Sequence, residues 1–290
     1  MIVTELYGGL GNQLFQYAIG RALAARRQTD LAIDISKLEN YKLRTYKLRH
    51  FQVAAQPLSA EQRRALRIRD YPAGTLRRLM MRVIGLSYMP VLQEHTFSFD
   101  ASAVNAPDHC YLRGYWQSPK YFCDAEQAIR ADLQLRHPPT GTDAQVAADI
   151  AKTVAVSVHV RRGDYVSNPH TQRYHGVCGA DYYSKAEQLL RERLSTFELF
   201  IFSDDPDWVK ENLRFKSRTH YVSHNGPDTD HEDLRLMTTC HHHVIANSTF
   251  SWWGAWLSPH SNKTVIAPKR WFAEAPHSTD DLIPPSWIRI

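Results

Sequence analysis

An α/β protein with two Rossmann-like domains facing across a cleft is the architecture predicted by these 290 residues. Three observations carry the prediction. The first 35 residues read as strand, glycine turn, helix and strand, the seed of a parallel doubly wound sheet. The stretch His137-Pro138-Pro139-Thr140-Gly141-Thr142 interrupts regular structure as an interdomain linker would. Beyond it, apolar strand-like runs alternate again with helical patterns as far as Ala267.

Taken in order, residues 2–7 form a buried strand and Gly8-Gly9-Leu10-Gly11 a tight turn. A helix follows, with Leu14, Ala18 and Ala22 on one stripe and Phe15, Ile19 and Leu23 beside it. Leu31 to Ile35 is the second strand. From Ser59 to Leu86, Arg63, Arg64, Arg67, Arg69, Arg77, Arg78 and Arg82 interleave with Leu, Ile and Met. That pattern fits a basic amphipathic helix on an anionic membrane surface or phosphate-bearing substrate, and equally a solvated face over a helical subdomain.

After the linker come strand Val154–Val160, a helix capped by Asp181 and running to Leu194, and strand Leu199–Phe202. Helix Pro206–Leu213, strand Thr219–Val222 and a helix around Asp230–Cys240 follow. Strand Val244–Ala246, loop Asn247–Ser251 and strand Thr264–Ala267 complete the series. The domains are therefore expected to be 1–140, with an Arg-rich helical insertion about 59–86, and 141–290, with the C-terminal tail packing back on the first.

Composition sets outer limits. The chain is 43% hydrophobic and 22% charged, as soluble globular proteins are. A net charge of +5 suits an anionic partner, but a solvated surface explains it as well. The four cysteines (Cys110, Cys123, Cys178, Cys240) lack CxxC spacing, so reduced cytosolic thiols are expected. The N-terminus begins as a strand with no basic or apolar leader, and no apolar run approaches the roughly 20 residues of a membrane span. A cytoplasmic location follows as the expectation.

Two stretches carry chemistry. Asn247-Ser248-Thr249-Phe250-Ser251 lies between an apolar strand and an aromatic, helical segment. Its backbone N–H groups, with the hydroxyls of Ser248, Thr249 and Ser251, suit an anionic group. The second, His159-Val160-Arg161-Arg162-Gly163-Asp164, ends another strand. Arg161 and Arg162 carry planar guanidiniums matched to phosphate, and alternation at a strand end sends them apart. One is expected to reach a ligand while the other pairs with Asp164 or a neighbouring carboxylate; a plain salt-bridge cluster is the competing reading. Together the two stretches suggest a nucleotide diphosphate held between a helix N-terminus and paired guanidiniums.

Other clusters are more ambiguous. Ser203-Asp204-Asp205 fits contact with a nucleoside, capping of the next helix, or both, one aspartate each; metal binding lacks a third carboxylate. Gly9 and Gly11 match two places of a dinucleotide fingerprint, with Asp34 near its ribose position, but Leu14 occupies the third glycine's place. That loop suits backbone approach to a sugar or phosphate, or simply turns the chain. His241-His242-His243 reads as a helix C-terminal feature with partly charged imidazoles. Trp252, Trp253 and Trp256 suit core packing better than a sugar platform.

With these pieces assembled, the sequence resembles the bacterial α-1,2-fucosyltransferases of glycosyltransferase family 11. The matching stretches are GGLGNQLFQYA at 8–18, HVRRGDY at 159–165, FSDD at 202–205 and NSTFSWWGAWL at 247–257, in the family's order. The HxRRxD-like stretch is also similar to that of α-1,6- and protein O-fucosyltransferases. The resemblance implies a GT-B fold, GDP-fucose as donor, inversion at the sugar carbon, and neither metal nor cofactor. By the same resemblance Arg161 holds the β-phosphate, bracketed by His159 and Asp164. Asp204 lies by the nucleoside, Ser248, Thr249 and Ser251 add donors to the diphosphate, Gly9, Gly11 and Asn12 approach fucose or phosphate from the first, acceptor-side domain, and Arg162, Ser203 and Asn247 complete the expected GDP-fucose-binding set. The glutamate that related α-1,6 enzymes carry beyond this motif is missing from Val166-Ser167-Asn168-Pro169-His170, so Asp164 and His159 are left as candidate bases.

The expected reaction is transfer to a galactose 2-hydroxyl of a glycan, lipid-linked in surface-polysaccharide or O-antigen synthesis, with peripheral contact to the inner membrane face and no nucleic acid. A nicotinamide-dependent oxidoreductase, a GDP-sugar-binding or lectin-like module without turnover, a fucosyltransferase of other linkage, and a membrane-surface scaffold built on the Arg-rich segment are the rival readings.

Overall fold

Both halves of the chain are built outward from a central, wholly buried strand. The computed structural model describes residues 1–39, 44–66, 89–163, 166, 173–174, 176–274 and 278–290, in two units, Met1–Gln134 and Leu135–Ile290. The boundary falls a few residues ahead of the expected one. The Pro-Pro segment goes with the second unit, where Arg235 donates to the His137 carbonyl.

In the first unit β1 (Ile2–Glu5), β2 (Leu31–Asp34), β3 (Gln56–Pro57), β4 (Val91–Gln93) and β5 (Cys110–Arg113) pair in the order β3-β2-β1-β5-β4. Every pair is parallel. Helix Leu10–Arg26 returns from β1 to β2, buried on almost all sides. Gly20 lets it press on the sheet: a Cβ there would lie 3.2 Å from Thr4 Cβ. The glycine turn is locked from within, since Gln13 Nε2 donates to the carbonyls of Gly8 (3.0 Å) and Thr45 (2.9 Å).

Within the Arg-rich segment, Ser59 and Gln62 form a capping box on a short helix, Ala60–Ala65. Arg63 turns away from solvent towards Glu39 (3.0 Å) and Asp34 (3.7 Å). Residues 67–88, with Arg67, Arg69, Arg77, Arg78 and Arg82, lie outside the described residues. No helix among the described residues is long and apolar enough to cross a membrane.

The second unit holds β6 (Ala155–Val160), β7 (Glu198–Ser203), β8 (Thr219–Val222), β9 (His242–Val244), β10 (Val265–Ala267) and β11 (Ile288–Arg289). Their order, β11-β10-β9-β6-β7-β8, is that of a dinucleotide-binding Rossmann sheet, again all parallel. Alternate residues of β6 serve opposite faces. Val156, Val158 and Val160 pack with Tyr183 and Leu190 of helix Ala180–Arg193, while Ala155 packs with Phe200, Leu236 and Met237.

Three expectations fail in the structure. Helix Ala180–Arg193 has Gly179 at its cap position, with Asp181 inside the first turn. The histidine run is not helical: helix Asp230–Thr239 ends before it, and His242 and His243 are strand residues. Burial lowers the pKa of all three imidazoles, most for His243, so they are neutral rather than partly charged. The last residues pair as β11 with β10.

Candidate active site

In an open parallel sheet ligands bind beyond the carboxyl ends of the strands, where the strand order reverses. In the second unit that point lies between β6 and β9. The β6 exit carries Arg161 and Arg162, and the β9 exit leads to Asn247 and Ser248.

Strand register explains the first cluster. His159 pairs with Phe202 and Val160 with Ser203, so the arginines leave β6 level with the aspartates leaving β7. Each arginine takes one. Arg161 Nη1 lies 2.9 Å from Asp204 Oδ2, and Arg162 Nε donates to Asp205 Oδ2 at 3.0 Å. The backbone N–H of Arg162 donates to the other Asp204 oxygen at 2.8 Å. Asp204 therefore holds a side chain and a backbone at once. The expected neighbouring carboxylate thus exists twice; Asp164 itself lies outside the described residues.

Arg162 is the more enclosed of the pair, its side chain 14% exposed against 23% for Arg161. Its guanidinium sits 3.7 Å from the Trp208 ring centroid, a contact that contributes about 1 kcal/mol or more. Trp208 is positioned by Asp205, which caps helix Pro206–Asn212 by accepting from the Trp208 N–H at 3.3 Å. Ser203 Oγ accepts from the Asp205 N–H at 3.0 Å. Arg162 is thereby fixed as scaffold, and Arg161 is the guanidinium presented at the edge. A Cβ on Gly163 would stand 2.4 Å from Asp204 Oδ2, so a larger residue there would push that carboxylate aside.

His159 lies below this edge, 4% exposed, its carbonyl accepting from Tyr183 Oη at 3.1 Å. Its Nδ1 is buried with no hydrogen-bond partner. Burial, then the charge of Arg161, pushes its pKa down to about 3. So low a value suits a neutral hydrogen-bonding group and makes a weak general base. It also has a stability consequence. The unfolded histidine titrates near about 6.5, so protons favour the unfolded chain below that value. Stability from this group is complete above about pH 6.5 and is lost as pH falls towards 3, by up to about 1.4 kcal/mol per pH unit. Urea midpoints measured from pH 7 to pH 5 should fall, and fall less steeply in a His159→Asn variant.

On the other side of the reversal, Ser248 caps helix Thr249–Leu257, its Oγ accepting from the Phe250 N–H at 3.3 Å. The Phe250 and His159 rings, 5.5 Å apart, bring that helix N-terminus beside β6. Thr249 opens the helix. Ser251 is fully buried and its hydroxyl donates to the Ser248 carbonyl at 3.2 Å. Asn247, also buried, donates through Nδ2 to the Trp271 carbonyl at 3.1 Å and accepts from Cys178 Sγ at 3.6 Å. Arg161, Arg162, Ser203 and Asp204 thus form one cluster, with His159, Ser248 and Thr249 next to it. Asn247 and Ser251 turn into the fold. In the first unit, the Gly9 Cβ position opens on empty space, and Asn12 Oδ1 accepts from Gln117 Nε2 at 3.1 Å beside buried Gly11.

Trp208 and Tyr183 escaped the sequence reading. The cap at Asp205 fixes the Trp208 backbone, but nothing in the sequence aims its ring at Arg162. Among the described residues no three His, Cys, Asp or Glu side chains gather to hold a metal.

Comparison with known proteins adds the family. The glycosyl transferase family 11 pattern matches residues 88–290. The chain is 32% identical to the alpha-1,2-colitosyltransferase of Escherichia coli, covering 100% of this chain and 99% of that protein. It is 29% identical to the O-antigen biosynthesis glycosyltransferase WbnK of Escherichia coli, over 98% and 99% of the two chains. Galactoside alpha-(1,2)-fucosyltransferase 1 of Gorilla gorilla gorilla is 33% identical over 58% of this chain and 48% of its own. The fold is like that of POFUT1 in complex with GDP-fucose, at 14% identity and a TM-score of 0.51 over 91% of this chain and 97% of that one. The two parallel α/β sheets are accordingly those of a GT-B-like fold. A full-length glycosyltransferase likeness, the family pattern and a phosphate-suited edge at a strand-order reversal agree, and the chain belongs to glycosyl transferase family 11.

Proposed function

We propose that the protein moves L-fucose from GDP-β-L-fucose to a galactose 2-hydroxyl of a glycan, inverting the sugar carbon and using no metal. One observation carries the reading: Arg161 stands at the reversal point of the second sheet with Asp204 steering its guanidinium. The partial likeness to a galactoside alpha-(1,2)-fucosyltransferase supports the sugar and linkage, and the likeness to an O-antigen glycosyltransferase supports a surface polysaccharide as acceptor.

In this mechanism the galactose 2-hydroxyl oxygen bonds to the fucose carbon as the fucose–phosphate bond breaks through an oxocarbenium-like transition state; the hydroxyl proton passes to water, and negative charge grows on the departing diphosphate. Arg161 meets that charge, assisted by the N-terminus of helix Thr249–Leu257 under its Ser248 cap. His159, neutral, offers its buried, unpaired Nδ1 side to a polar group of the nucleotide. Asp204 and Arg162 position Arg161, and Asp164 takes part as an orienting carboxylate rather than as the base.

A second reading, transfer of colitose, is favoured by the full-length likeness to a colitosyltransferase. Purified protein offered GDP-fucose or GDP-colitose with a panel of β-galactosides, in EDTA, separates the two. A 2-linked α-fucoside is the expected product. Turnover with GDP-colitose alone would replace the donor. Turnover abolished by EDTA and restored by a divalent cation would overturn metal independence.

A further inference from the structure

The first sheet also reverses its strand order, between β1 and β5, and the loops leaving those two strands meet over an aromatic pair. Tyr7 follows β1 and Tyr115 follows β5; their rings are 4.8 Å apart at 61°. Between Gly114 and Ser118, Tyr115 alone is exposed, at 42%.

The turn that displays Tyr115 is heavily constrained. Glu94, just past β4, accepts from the Tyr115 N–H at 2.6 Å through Oε2 and from the Trp116 N–H at 3.0 Å through Oε1. Trp116 has φ +57°, a left-handed conformation that only bracing sustains in a bulky residue. A Cβ on Gly114 would lie 2.4 Å from Glu94 Cβ. Such strain is usually found at functional sites, and here it fixes an aromatic ring that faces outward.

Polar groups flank the rings. Lys37 Nζ lies 4.8 Å from the Tyr7 ring centroid and 2.9 Å from Glu5 Oε2, with its side chain half exposed. An aromatic face beside an exposed ammonium suits a pyranose: its C–H face packs on the ring, and its hydroxyls accept hydrogen bonds from the ammonium.

We propose that this reversal point is a pyranose subsite of the acceptor glycan, with Tyr115 as stacking ring, Tyr7 as side wall and Lys37 as hydroxyl donor. The assignment rests on the transferase reading above. Once formed, the turn is rigid, so the subsite binds without reorganisation and acts on acceptor affinity alone.

The test pairs kinetics with binding. In fucosyl transfer to N-acetyllactosamine, Tyr115→Ala should raise acceptor KM about tenfold. Donor KM and thermal midpoint should stay unchanged, and Tyr115→Phe should remain within about twofold of the parent. Saturation-transfer NMR of N-acetyllactosamine with the GDP-bound parent should show contact to the pyranose C–H face, reduced in Tyr115→Ala; this needs no turnover. Should transfer fail for every donor while that contact persists, the transferase reading falls and the subsite stands. An acceptor KM within twofold of the parent in Tyr115→Ala, or a rise confined to donor KM, overturns the subsite.

Discussion

Replacing Arg161 by alanine should lower the rate of transfer by about 10²–10³ while leaving the thermal midpoint nearly unchanged. The side chain is 23% exposed and pairs with Asp204 at the sheet edge, so its removal opens no core cavity. The rate effect has two sources. In the proposed mechanism a preorganised cation facing the leaving diphosphate disappears, and Asp204, relieved of Arg161, presents its own negative charge to that diphosphate. Arg161→Lys should recover part of the rate, since an ammonium keeps the charge but not the fork. Arg162→Ala makes the contrast. It removes the Asp205 pair and the Trp208 stack, so its first effect should be on the stability of the region around helix Pro206–Asn212. Steady-state kinetics and thermal unfolding of the three variants decide the matter. An Arg161→Ala enzyme with near-normal transfer would place the phosphate elsewhere.

How far the sequence could have led to this contrast depends on which interactions are local. The β1–helix–β2 seed and the alternation after Val154 were legible because each strand is a buried apolar run beside a helix of opposite period. The two-residue β3 and β11 and three-residue β4 are too short to show any period and exist through pairing with their neighbours. The arginine pair was legible as chemistry, but the division of labour between its members was not. It depends on a register between β6 and β7 that pairs residues more than 40 apart, and on one ring, Trp208. The hydroxyls after Ala246 misled in another way. They read as one polar set, yet Ser251 sits one turn beyond Ser248 and bonds back to it, as serines inside helices do. Three consecutive histidines looked like a charged helix end, but their place beside the buried Ser157 made the last of them a neutral strand residue; its ring meets Ser157 Oγ at 2.8 Å.

Trp252→Ala should destabilise the protein by about 3–5 kcal/mol, a large part of the 5–15 kcal/mol typical of a folded domain. The indole is fully buried. Its Nε1–H donates to the Leu282 carbonyl at 2.9 Å, and its ring lies 5.1 Å from that of Trp253, 6.1 Å from Trp256 and 5.5 Å from Trp287. Truncation leaves a cavity among these rings and strips the Leu282 carbonyl of its donor, two costs that add. A platform for substrate sugar would behave in the opposite way, raising a KM and sparing stability. The urea midpoint should therefore drop sharply, while donor and acceptor KM, measured well below the new melting temperature, stay near parental values. Normal stability with a raised KM would return the tryptophan to the binding surface. The expected outcome follows from the position of the ring, on the helix whose Ser248-capped end lies beside His159. Trp252 affects transfer by keeping that helix folded, and once the helix is formed the ring has no contact left to offer a ligand.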